Sequence, residues 1–301
     1  MTMTEAPPAS ATLAFGATFR GAFKVVFGRP GLFLKAAAVP FLLSLAIEAA
    51  YAVSPVVVGS VGGLYASDVL EFGLVDLAFG LLALLPFAVF GIALTRLLLI
   101  GPQAGALPSP LLGGRTWRYF GYSLLLTFAF VFIPMVGFFG MSLLLGLGTD
   151  AGGGPNGAWL FGAAMAGLLL LFYLFVRLSL VYPAVSMDDR LGLRGSWRLT
   201  RGNSMKLLGV LVLLILVLIL VMLVGSAVTG EQIEIGSAAL LAAAGAEADW
   251  TGILLANAPR QLWGLVANFL FFGLMTGTLT SAYAQLTSWG SPRAEILERF
   301  E

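Results

Sequence analysis

The chain has 301 residues, of which 59% are hydrophobic and only 10% charged, and its mean hydropathy is +0.98. A soluble domain carries about 25% charged residues, so this sequence has too few charges to coat a water-soluble globule. Sixteen basic and fifteen acidic residues leave a net charge of +1, which argues against nucleic acid as a partner recognised by global charge. The absence of cysteine excludes disulfides and thiolate chemistry, and the absence of histidine removes the commonest general base and metal ligand. The expected class is an all-α polytopic membrane protein with no cofactor and no metal.

In chain order, residues 1–12 are short, polar and rich in Pro and Ala, and read as a disordered tail. Arg20 and Lys24 interrupt the stretch that follows, so it has no uncharged core of the kind a signal peptide needs. Phe15, Phe19, Phe23, Val26 and Phe27 recur at helical spacing. They predict an interfacial amphipathic helix over 13–30, its aromatics dipping into acyl chains.

About 20 apolar residues are needed to cross the hydrocarbon core. Six segments meet this: Gly31–Val53, Leu77–Ile100, Phe120–Leu145, Trp159–Val181, Leu207–Val228 and Leu262–Leu286. They are long continuous runs, not alternating strands, which excludes a β-barrel. One six-helix domain over 13–290 is expected, with a tail at 291–301. With the N-terminus inside, 15 of the 16 cations fall on the cytosolic side and only Arg260 outside, while Asp68, Glu71, Asp76, Asp150, Glu231, Glu234, Glu247 and Asp249 lie outside. This bias places both termini in the cytosol of a bacterial inner membrane. The outer segments 54–76 and 230–261 each carry a net charge of −3 and hold apolar patches suited to the outer leaflet or a docked partner.

The chain resembles itself. Arg96-Leu-Leu-Leu-Ile-Gly-Pro102 matches Arg177-Leu-Ser-Leu-Val-Tyr-Pro183, and Gly114-Arg-Thr-Trp117-Arg118 matches Arg194-Gly-Ser-Trp197-Arg198. Three two-helix units are expected, each prefaced by a basic interfacial segment, with Phe23-Lys24 marking a degraded first copy. The prolines are expected to end their spans, and each Trp-Arg pair to anchor at headgroup level. Because every unit starts on the same side, the repeat lacks the inverted symmetry common in transporters.

In the third unit, Arg190, Arg194, Arg198 and Arg201 form one stripe of an interfacial helix over 188–205, with Trp197, Leu193 and Thr200 facing acyl chains. Beside an anionic leaflet each cation contributes about 1 kcal/mol. Arg96 and Arg177, with Trp117 and Arg118, are placed to bind headgroups as well, both arginines snorkelling to phosphate. The same surface is open to a cytosolic protein partner. Asp188 and Asp189 are expected to cap the arginine-bearing helix.

The string from Tyr182 to Asn203, YPAVSMDDRLGLRGSWRLTRGN, resembles the hallmark segment of YciC-like bacterial inner-membrane proteins. It is similar to the membrane domain attached to some glycerophosphodiester phosphodiesterases. The close match covers about 30 residues. It implies a membrane fold and location; the catalytic phosphodiesterase domain is missing, so it carries over no hydrolase activity.

The fifth span, without a small or polar residue from Val210 to Val224, should face lipid. The sixth carries Gly264, Asn268, Gly273, Thr276, Gly277, Thr278, Thr280 and Ser281, and its GxxxG predicts close packing in the bundle interior. Pro40, Pro86 and Pro134 lie inside spans and should kink them. Glu48 is the only acid well inside a span, and a short carboxylate snorkels poorly. Asn268 or a sixth-span hydroxyl such as Thr276 is its expected partner. No nucleotide-binding, hydrolase or metalloprotease motif occurs. The reading is a non-enzymatic structural, scaffolding or lipid-organising protein. The alternative is a small transporter or channel with Glu48 as its ionisable group.

Overall fold

A computed structural model of the chain describes residues 12–61, 68–101, 113–144, 156–229 and 250–287. The tails expected over 1–12 (apart from residue 12) and 291–301, and the acidic positions Asp150, Glu231, Glu234, Glu247 and Asp249, lie outside the described residues. Those described are all-helical. The elements are α1 (Phe15–Phe23), a π-helical turn (Lys24–Gly28), α2 (Pro30–Val61), α3 (Asp68–Leu99), α4 (Gly114–Leu144), α5 (Asn156–Leu178), α6 (Val181–Ser186), α7 (Gly192–Leu199), α8 (Ser204–Thr229) and α9 (Trp250–Thr287).

Among the described residues, five segments are long and apolar enough to cross a membrane: Pro30–Tyr51, Leu77–Leu99, Leu169–Ser186, Ser204–Gly225 and Ala258–Thr287. The expected third span, Phe120–Leu145, falls on α4, whose side chains from position 131 onward lie outside the described residues. Three helices outrun their predicted spans. α2 continues to Val61, α3 begins at Asp68, and α9 begins at Trp250. Once a backbone is hydrogen-bonded into a helix, adding a residue is cheap, so these rods extend past the apolar run into the segments expected at the outer leaflet or on a docked partner. Pro40 and Pro86 are both buried, and their helices run on through them.

The centre of the molecule lies between α2, α3 and α9, which pack along one another. Aromatic rings fill it. Phe33 meets Phe90 edge-on at 5.5 Å, and Phe87 and Phe90 lie 5.0 and 5.2 Å from Phe269. Such pairs contribute beyond the area they bury. α9 admits them through its glycines: a Cβ at Gly273 would fall 2.5 Å from the Phe33 ring, and one at Gly277 3.4 Å from the Ala22 Cα.

The expectation that the whole of α9 is interior needs correction. Residues 276–286 are buried, but Leu262, Val266 and Asn268 are exposed, since α2, α3 and α1 cover only the half nearer its C-terminus. α8 agrees with its composition: Leu207, Val210, Leu211 and Leu214 are buried, while Leu216, Ile219, Leu220, Leu223 and Val224 are exposed.

The N-terminal helix packs on the bundle. α1 lies against α9 and α8, burying Thr18, Gly21 and Ala22. Small residues on this face let its backbone approach Gly277, and that close fit outweighs simple immersion of the phenylalanines. Phe15 and Phe27 are exposed as expected, but Val26 is core.

Candidate functional site

The N-terminal ends of α2, α4 and α8 and the C-terminal ends of α3, α6 and α9 gather at one end of the bundle, together with α1 and α7. Most of the candidate arginines are here. The local structure starts with two copies of one sequence pattern that end differently. Where the first has Gly101, φ is +97° and α3 ends at Leu99; glycine takes this left-handed conformation without steric cost. The second has Tyr182 there, and the chain stays helical. Pro183 has no N–H and its ring crowds the carbonyl four residues back. α5 accordingly ends at Leu178, and the chain resumes as α6 after a turn at Ser179–Leu180. Pro183 therefore sits in the first turn of α6, where an N–H is dispensable, instead of ending the span.

Arg177 lies at that break, and it does not snorkel. Its side chain is buried; Nη2 donates to the Trp197 carbonyl at 2.7 Å and Nη1 to the Tyr173 hydroxyl at 3.1 Å. The guanidinium stacks 3.8 Å from the Trp197 ring centroid. In return, the Arg177 carbonyl accepts from the Ser196 and Thr200 hydroxyls at 2.9 and 3.3 Å. A buried guanidinium must be hydrogen-bonded, and here α7 and Tyr173 supply the acceptors.

These bonds orient α7. Ser196 and Thr200 are buried and turned to the protein, which corrects the expected lipid-facing role of Thr200. Arg190, Arg194, Arg198 and Arg201 are all exposed. Only Arg194 and Arg198 lie on α7 itself, because the helix is eight residues long. Gly202, at φ +82°, turns the chain from α7 into α8. Trp197 and Trp117 are 40% and 54% exposed, so both indoles remain open to a headgroup layer.

The two aspartates between α6 and α7 are not caps. Asp188 accepts hydrogen bonds from Arg115 and, at 2.9 Å, from Arg118, both on the first turns of α4. The Arg115 hydrogen bond, reinforced by the charges of Arg115 and Arg118, holds its carboxyl below the usual carboxylate range. Asp189 accepts from the Tyr283 hydroxyl of α9 at 2.7 Å. The two carboxylates thus tie three helices together. Arg96, in the last turn of α3, lies within electrostatic reach of Arg115 and Asp188.

A second tie holds the start of α1. The Leu13 and Ala14 amides donate to Asn203 Oδ1 and Gln285 Oε1 at 2.8 and 3.0 Å, Gln285 Nε2 donates to Thr18 Oγ1 at 3.0 Å, and Lys206 Nζ reaches the Leu13 carbonyl at 3.3 Å. Sequence reading missed Asn203, Gln285, Thr18 and Tyr283. The one available signal was Gln285, a carboxamide one turn after Ser281 within an apolar span.

The intramembrane candidates are not brought together. Glu48 is exposed and lines a groove of about 200 Å³ with Ile47, Tyr51, Phe79, Gly80 and Ala83, between α2 and α3. Asn268 is exposed on α9, and Thr276 is buried. The expected Glu48–Asn268 or Glu48–Thr276 contact is absent among the described residues, because α2 meets α9 through Phe41 and Phe269, seven residues before Glu48. No group of three potential metal-ligating residues occurs among the described residues. Compared with protein-family models, curated proteins and solved structures, the chain matches none of them.

Proposed function

We propose that this chain is a YciC-like, six-span protein of a bacterial inner membrane, with α4 as the third span beside the five others, three two-helix units and both termini in the cytosol. Its role is non-enzymatic: it organises lipid, or scaffolds neighbours, by holding anionic headgroups at the cytosolic leaflet. The observation that carries this is the mounting of α7. Ser196, Thr200 and Arg177 fix one face of the helix to the bundle, leaving Arg190, Arg194, Arg198 and Arg201 exposed beside the open indoles of Trp117 and Trp197. A platform whose orientation is already fixed loses little entropy on binding, and cations beside an anionic leaflet are each worth about 1 kcal/mol. A cytosolic protein partner would use the same surface.

Native mass spectrometry of protein extracted from mixed phosphatidylglycerol and phosphatidylethanolamine membranes tests this. The wild type should retain phosphatidylglycerol preferentially, and R194Q/R198Q should lose most of that preference. Equal retention of the two lipids by the wild type rejects the reading. The transporter alternative draws on the groove beside Glu48. Proton or cation flux in liposomes that disappears in E48Q would put it first.

A further inference from the structure

Arg115 and Arg118 converge on one carboxylate. Asp188 takes a hydrogen bond from Arg115 and another from Arg118, and Arg96 lies within electrostatic reach. Three guanidiniums stand against the two adjacent carboxylates of Asp188 and Asp189, and once Asp188 is displaced they leave a surplus of two positive charges over Asp189 alone. Arg115 Nε is buried and has no acceptor among the described residues, so the cluster has an unused donor. Asp188 itself is held at φ +59°, the only non-glycine residue at positive φ among those described. That conformation closes α6: the Asp188 and Asp189 amides donate to the Val185 and Ala184 carbonyls at 3.1 and 2.9 Å, with residue 188 as the left-handed residue that commonly ends a helix. Its side chain is 43% exposed and that of Arg118 54%, so the cluster is open to an incoming anion. Asp189, the neighbouring acid, is engaged by Tyr283 and does not compete.

We propose that Arg115 and Arg118 form a phosphomonoester site in which Asp188 is the built-in occupant that a phosphate displaces, with the charge of Arg96 close by. Arginine forks match phosphate as they match carboxylate. A phosphomonoester offers three terminal oxygens and close to two negative charges, which suit the spare donor and the surplus charge better than one carboxylate does. The site rests on the headgroup reading of this end of the molecule, but it uses different residues from the α7 platform.

Native mass spectrometry of the full chain, supplied with phosphatidic acid, phosphatidylglycerol and phosphatidylethanolamine, tests it. The wild type should retain phosphatidic acid over phosphatidylglycerol by about fivefold, the factor that one further headgroup charge confers. D188N should increase that ratio, and D188G, which also relieves the left-handed backbone, should do the same. Adding R115Q/R118Q should abolish the gain, whereas R194Q/R198Q should lower retention of both anionic lipids and leave their ratio intact. Inorganic phosphate that displaces phosphatidic acid at equal concentration assigns the site to free phosphate; resistance to it assigns the site to the lipid headgroup. No preference in the wild type, or a D188N gain that survives R115Q/R118Q, overturns the proposal. Loss of anionic retention in R194Q/R198Q with no phosphatidic acid preference would leave the α7 platform standing and this site refuted.

Discussion

The guanidinium of Arg177 has a carbonyl, a hydroxyl and an indole face as partners, and lysine reproduces at most one of these. R177K should destabilise the protein by roughly 1–3 kcal/mol, since hydrogen bonds to charged groups are worth that much. The checks are thermal melting in detergent and a change in Trp197 emission; an unchanged melt would mean that the stack contributes nothing. Asp188 gives a pH prediction of definite sign. Its carboxyl is held low in the fold, so its stabilising contribution is fully present above the unfolded carboxylate value of about 3.9 and is lost as pH falls through the lower folded value. The wild-type melting temperature should therefore drop more steeply below about pH 4 than that of D188N, and parallel acid limbs would contradict the ion-pair account. Both residues were visible in the sequence as chemically conspicuous, yet their roles were not. Apart from Tyr173, one turn back, the partners of Arg177 lie on an element 20 residues away, and Asp188 reaches back 70 residues or more to α4. Spacing along a helix says nothing about either.

At the scale of elements, hydropathy placed five of the six expected rods on segments long and apolar enough to span, and misjudged their ends. The pattern shared by Arg96–Pro102 and Arg177–Pro183 shows why. One residue, Gly101 against Tyr182, decides whether the chain leaves the helix or continues as α6, although both copies carry the proline. The GxxxG of α9 was legible as a place of close approach; that Phe33 and α1 make the approach was not, since a glycine pair does not name its partner. The two glycines should respond differently. G277A brings a methyl to 3.4 Å from Ala22 and should be nearly neutral. G273A drives a methyl into the Phe33 ring and should cost about 1–3 kcal/mol. Equal melting temperatures would show that the ring moves freely. α1 is held by Asn203 and Gln285, residues that hydropathy scores only as blemishes in an apolar pattern. Q285L removes the acceptor for the Ala14 amide and a donor to Thr18, and should raise hydrogen exchange across Phe15–Phe23 while sparing α3.

For the whole molecule, the distribution of cations and the distribution of helix ends agree on one basic end. Arg96, Arg115, Arg118, Arg177 and the four arginines around α7 occupy it, along with the start of α1. The sequence placed them there by charge bias alone, which is a statement about how a chain inserts, whereas the ties through Asp188, Asp189 and Gln285 are statements about how it packs. Everything proposed for headgroups depends on that end facing the cytosol. The chain contains no cysteine, so single cysteines report position without background. R198C, at the basic end, should react with a membrane-impermeant maleimide only after the cells are permeabilised, and Q261C, in the exposed outer half of α9, should react in intact cells. The reverse pattern, with R198C labelled from outside, would contradict the account.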